Sequence, residues 1–114
     1  MTTELLKVTH LMMANRLAEA ETICHEYLSK NAHSPDALHL LGHIVFQRGD
    51  LERSLKFLHD ACEIAPMIAE IHNSLGGVLC NSGRHEEALD SLRQATRLKP
   101  SFAAAHNSLG AALA

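Results

Sequence analysis

The chain has no tryptophan, one tyrosine and three phenylalanines among its 114 residues, so aromatics amount to 4%. Strands draw on aromatic and β-branched side chains, whereas the alanine and leucine that dominate here favour close-packed helices. Cysteine is also scarce. Cys24, Cys62 and Cys80 are odd in number and widely spaced, with no C-x-x-C, which argues against a disulfide framework and for buried thiols in a reducing compartment. Positive charge is not in excess: the net charge is -3 and the pI is near 6.3. Such a balance provides no broad cationic field, so neither nucleic acid nor an anionic membrane is an expected partner. No apolar run approaches the roughly 18 residues of a membrane span. The start, MTTELLKVTH, has no basic segment followed by an apolar run, so no secretory signal is read there. The expected location is cytoplasmic, unless a longer parent carries its signal elsewhere. Hydrophobic residues at 46% and charged ones at 20% are close to a globular average, and the length suits a single domain.

What is present is repetition. Leu41, Gly42, Gly49, Glu52, Leu55, Leu58, Ala61 and Pro66 recur thirty-four residues later as Leu75, Gly76, Gly83, Glu86, Leu89, Leu92, Ala95 and Pro100. His72-Asn73-Ser74-Leu75-Gly76 recurs verbatim as His106-Asn107-Ser108-Leu109-Gly110. A fixed period of this size marks a stacked-repeat architecture. Leucine-glycine in a first helix, glycine at the turn, alanine in a second helix and a closing proline resemble the tetratricopeptide repeat, whose period is 34. The resemblance implies an all-α, right-handed superhelical solenoid of antiparallel helix pairs. It places units at 1–34, 35–68 and 69–102, with a truncated one at 103–114, about three and a half units in one domain. The likeness includes bacterial-type arrays fused to transferases. The first unit is degenerate, with Val8 in the glycine position, Asn15 at the turn and Ala32 for proline. Glu4, Leu38, His72 and His106 occupy the position usually given to tryptophan.

Local signals agree with the period. Leu5, Leu6, Val8, Leu11 and Met12, then Leu17, Ala20, Ile23, Cys24, Tyr27 and Leu28, predict a first helical hairpin. Asn15 tolerates the left-handed conformation that ends a helix. Its unit is expected to act as the terminal cap of the stack. Ser34-Pro35-Asp36 is a helix start, Gly49 a turn, Asp50 a cap and Pro66 a stop. Gly76 and Ala88 are expected where two helices cross. The unit from Ala103 leaves one apolar side open, which predicts either a fragment of a longer repeat protein or a homo-oligomer formed through Leu109, Leu113 and the preceding second helix.

Chemical constellations are weak. Gly76-Gly77 lies inside a predicted helix with no strand before it, and no G-x-x-x-x-G-K-[ST] is present, so no phosphate loop is read. Of nine histidines, His39 and His43 are the best pair, because a spacing of four puts them on one helix face. Two ligands do not make a metal site. Cys80 or Glu70 from the next repeat could complete one, but spacing does not show it, and neither metal nor cofactor is expected. His72 and His106 are read as packed and hydrogen-bonded. No serine, histidine and aspartate share a recognisable nucleophile context, so the chain is not expected to be an enzyme by itself. Arg93, Arg97 and Lys99 read as a solvated helix end, and Glu86 and Glu87 as acids suited to a first turn.

The resemblance further implies that first helices line a concave groove whose family positions 2, 5, 9, 12 and 13 face a bound peptide. These are Asp36, His39, His43, Phe46 and Gln47 in the second unit and Glu70, Asn73, Gly77, Cys80 and Asn81 in the third, with Asn107 added by the fourth. Asn and Gln both donate to and accept from a peptide backbone, and Phe46 offers an apolar anchor. Family members that clamp acidic chaperone tails use lysine, arginine and asparagine where this chain has Leu5, Thr9, Leu40, Glu70 and Ser74, which disfavours that partner. Members fused to sugar-transferring enzymes carry an asparagine ladder at position 6, where Ser74 and Ser108 stand here. The expectation is a non-catalytic scaffold for a protein or peptide segment. Its alternatives are the substrate-recruiting front end of a glycosyl-, methyl- or sulfo-transferase, a histidine-based metal binder, and a self-assembly module.

Overall fold

The computed structural model describes residues 2–113; Met1 and Ala114, the outer bounds of the first and last predicted units, lie outside them. The described residues form seven helices in order: α1 (Thr3–Met13), α2 (Leu17–Lys30), α3 (Pro35–Gln47), α4 (Leu51–Ile64), α5 (Ala69–Asn81), α6 (His85–Leu98) and α7 (Ala103–Leu113). Among the described residues there is no strand. Nor is any helix there long and apolar enough to cross a membrane.

Side-chain oxygens set three of the starts. The Leu5 amide donates to Thr2 Oγ1 at 3.3 Å, Ala37 to Ser34 Oγ at 3.2 Å and Arg53 to Asp50 Oδ1 at 3.1 Å. Each removes an orphan donor that the first turn cannot satisfy. The three hairpin turns share one geometry. Asn15, Gly49 and Gly83 sit at φ of 59°, 88° and 78°. The residue after each of them donates back to close the helix end: Arg16 to the Leu11 carbonyl, Asp50 to Val45 and Arg84 to Leu79, at 2.8, 2.8 and 2.9 Å. This is the Schellman closure, and the asparagine achieves it as the glycines do.

Helices pair within hairpins through a small residue. A Cβ placed on Gly42 would meet Leu58 at 2.8 Å, and one on Gly76 would meet Leu92 at 2.7 Å, so each leucine sits on bare backbone. Ala88 is fully buried beside the same crossing, as expected. Its counterpart in the second unit is Ser54, whose buried hydroxyl donates to the Gly42 carbonyl at 2.8 Å. In the first unit the sizes are exchanged: Val8 stands in the glycine position and Cys24 in the leucine position, both completely buried in one cluster. The degenerate repeat is therefore a large-for-small exchange that keeps the volume filled. Burial raises the Cys24 thiol to about 11, with the Glu21 charge adding to it, so the group stays protonated and donates to the Ala37 carbonyl at 3.2 Å. Cys62 and Cys80 are only half-buried, and all three thiols are free.

Hairpin stacking gives the array its curvature. Along the chain α1 touches α3, α3 touches α5 and α5 touches α7, whereas α2, α4 and α6 do not approach one another. The odd-numbered helices thus form the inner, closer-spaced layer and the even-numbered ones the outer. Side-chain ion pairs bridge the outer layer instead, with Glu21 reaching Arg48 at 3.0 Å and Arg53 at 3.2 Å. At α7 the corresponding seat is open: a Cβ on Gly110 meets nothing within 4 Å, and Leu113 is 59% exposed.

Candidate functional site

The inner layer brings α3 and α5 together through three polar side chains. His39 and His43 lie one helical turn apart on α3, with ring centroids 4.9 Å from each other. Ser74 of α5 enters between them, its Oγ 2.7 Å from Nε2 of His39 and 3.1 Å from Nε2 of His43. A serine hydroxyl carries one proton, so it donates to one ring and accepts from the other, and the two rings hold opposite tautomers. Burial pushes the His39 pKa down to about 4, with the His43 ring adding to the fall while Asp36 and Glu70 oppose it; burial also lowers that of His43. Both rings are neutral at pH 7.

This trio resembles a nucleophile with two bases, but its surroundings do not serve one. Ser74 lies inside α5, where neighbouring amides are committed to the helix, so no free pair of N–H groups is present to hold an oxyanion. Among the described residues no three or more His, Cys, Asp or Glu side chains are grouped so as to hold a metal ion. What the trio does is lock α3 to α5. Ser74 was not among the predicted groove residues. Its partners lie 35 and 31 residues earlier, one repeat displaced by one and by minus three, which is the only sequence signal of the contact.

A second feature opens between α5 and α7. Gly77, Cys80 and Asn81 from the expected groove line a cleft of about 440 Å³ together with His85, Ser108, Ala111 and Ala112. Gly77 keeps it wide, since nothing stands within 4 Å of where its Cβ would be. The Asn81 amide donates to the Gly77 carbonyl at 2.9 Å, and Cys80 packs partly against the core. His85, Ala111 and Ala112 of this lining went unread in the sequence, because helix-start and alanine positions carry no chemical signal of a cleft.

The remaining expected residues are distributed unevenly. Asp36, Gln47 and Asn107 are exposed. Phe46 is half-buried against the cluster of Leu55, Leu75 and Val78, so only part of its ring faces outward. Glu70 holds Lys99 at 3.2 Å; its own backbone amide first, and that ammonium second, keep its carboxyl below the ordinary value. Asn73 Oδ1 is buried without a hydrogen-bond donor. His72 and His106 bond to the closing prolines of the preceding units, Nε2 to the Pro66 and Pro100 carbonyls at 2.8 and 2.7 Å. They are hydrogen-bonded as expected but less packed, His72 half-buried and His106 exposed.

A profile described as TPR repeat matches residues 76–114. No curated protein is similar enough to count as a match. Among solved structures, an O-GlcNAc transferase mutant from Thermobaculum terrenum superposes with a TM-score of 0.92 at 30% identity, over 99% of this chain and 23% of that one. The first TPR of Spaghetti, bound to an HSP90 peptide, superposes with a TM-score of 0.92 at 14% identity, covering 96% of this chain and 87% of its own. YrrB, a TPR protein with an unusual peptide-binding site, superposes with a TM-score of 0.81 at 22% identity, over 92% of this chain and 54% of its own. The chain spans about a quarter of the transferase and about half of YrrB.

Proposed function

Because the chain belongs to the tetratricopeptide-repeat family, we propose that its inner face holds an extended segment of a partner protein and that it performs no chemistry itself. The observation that carries this reading is the cleft of about 440 Å³ lined by Gly77, Cys80 and Asn81. Its lining is mainly small and apolar, with the Asn81 amide, the Ser108 hydroxyl and the His85 ring as polar groups, which is the composition of a site for backbone and small side chains. Asp36, His39, His43, Phe46 and Gln47 extend the same face across α3, while Glu70, Asn73 and Asn107 complete it on α5 and α7.

The direct test is retention of fluorescently labelled chain on an array of randomised peptides. The wild-type chain is expected to retain a defined subset. Gly77→Phe, whose Cβ has open space and whose ring projects into the cleft, is expected to lose that subset with its circular dichroism unchanged. Retention that ignores Gly77→Phe removes the cleft from the account.

A second reading, recruitment of substrate to a larger transferase, is favoured by the 30% identity that extends over 99% of this chain to a transferase of Thermobaculum terrenum. The mass of the native protein decides it: a native band the size of this chain alone counts against the reading.

A further inference from the structure

Charge on α3, α5 and α7 of the inner layer is sparse and of one sign. α3, α5 and α7 contain no lysine or arginine, and their charged residues are Asp36 and Glu70. Of the chain's ten basic residues, Lys7 lies on α1 and the rest lie on the even-numbered helices and the connections. Several of those are already held: Arg48 and Arg53 by Glu21, Lys99 by Glu70. The two imidazoles beside the carboxylates are neutral and are tied to Ser74.

Two acceptors on this face stand without a donor. Asp36 forms no ion pair among the described residues, and Asn73 Oδ1 is buried with no donor. An acidic segment laid across α3 and α5 would bring carboxylates beside Asp36 and Glu70 with no free cation to receive them. Lysine and arginine side chains are donors only and supply what is missing. Charge complementarity of this sort selects partners by repelling the wrong ones as much as by attracting the right one.

We infer that the segment taken by the inner face carries basic rather than acidic side chains, and that Asp36 and Glu70 set this preference. The inference rests on the groove reading above and narrows it to one class of partner.

The test is the composition of the peptides retained on the same array. At low salt the retained subset is expected to be enriched in Lys and Arg over Asp and Glu by about threefold or more relative to the array. The bias is expected to shrink at high salt, as exposed charges are screened. Asp36→Asn with Glu70→Gln flattens it, and Asp36→Lys with Glu70→Lys reverses it, with circular dichroism confirming that each variant is folded. Glu63→Gln with Asp90→Asn removes the same charge from exposed sites on α4 and α6 and leaves the bias intact. A retained subset without basic bias, or one whose bias responds equally to the control pair, overturns the inference while the loss on Gly77→Phe keeps the groove. Retention of no peptide, or retention indifferent to Gly77→Phe, overturns both together.

Discussion

At Gly76 a single methyl group is enough to probe the helix crossing. Its Cβ would fall 2.7 Å from Leu92 Cγ and Cδ2, and Leu92 is fully buried. Gly76→Ala is therefore expected to lower stability by about 1 to 3 kcal/mol through overpacking. One residue on, Gly77 has open space, and Gly77→Ala is expected to raise stability by about 0.5 to 1 kcal/mol through helix propensity alone. Urea melts of the two variants check the pair, and equal shifts of the same sign would place the crossing elsewhere. The exchanged first unit offers the complementary experiment. Val8→Gly opens a void and Cys24→Leu overfills one, each at about 1 to 3 kcal/mol, whereas the double variant should recover part of both losses. Additive losses would show that the two sites do not share a volume. The crossing at Gly76 was legible in the sequence because the period repeats its glycine and leucine as Gly42 and Leu58, even though Ser54 stands for Ala88. The exchange at Val8 and Cys24 was not, since a cysteine in a leucine column reads as mere divergence until both residues are found in one cluster.

Between elements, the contact that matters most is α3 against α5. Besides the packing of Phe46 and Leu38 against α5, their seam shares one hydroxyl proton between two rings, so at neutral pH one histidine should carry its proton on Nε2 and the other on Nδ1. Long-range nitrogen–proton correlation spectra distinguish these tautomers, and two rings of the same form would refute the bridge. Acid acts on the same seam. The folded pKa of His39 is about 4, below the 6.5 of an unperturbed ring, so between those values the unfolded chain binds more protons. Stability from this group is complete above about pH 6.5 and is lost as the pH falls toward 4, by an amount on the order of 3 kcal/mol. His43 is shifted the same way. Glu70, with its carboxyl lowered, gives stability above 4.5 that is lost below it. Glu21 behaves likewise: burial works against its charge, but Arg53 and then Arg48 outweigh it. All four therefore weaken the fold in acid. Thermal melts should show Tm falling from pH 7 to pH 5, with a shallower fall in His39→Asn; an unchanged slope would remove His39 as the cause. The resemblance to the repeat family, not the period by itself, pointed to the first helices as the inner face and supplied the groove candidates. It did not reveal that His39 and His43 bind Ser74, or that Phe46 turns partly inward, because such contacts depend on how neighbouring hairpins are staggered, which side-chain spacing along one helix does not encode.

For the molecule as a whole, each hairpin leans only on its neighbours, so stability is a sum of local terms and not one cooperative quantity. α3 and α5 each bury six residues, α1 buries Leu5 and Val8, and α7 buries Ala105 alone. With each buried aliphatic side chain contributing about 1.5 to 3 kcal/mol, α7 should open at least about 3 kcal/mol more readily than α5, roughly a hundredfold in amide exchange. Hydrogen exchange should accordingly find α3 to α6 protected, α1 intermediate and α7 fast. The cleft between α5 and α7 makes this gradient functional, since its far wall is Ser108, Ala111 and Ala112, on the least anchored helix. A segment seated there binds the form in which α7 is closed, so its affinity is reduced only by the fraction of chains in which α7 is open, and binding in turn suppresses that opening. Peptides retained by the chain should therefore slow exchange in α7 far more than in α3. Uniform protection of all seven helices, free or bound, would mean that the array melts as one unit and that the inner face is rigid from end to end.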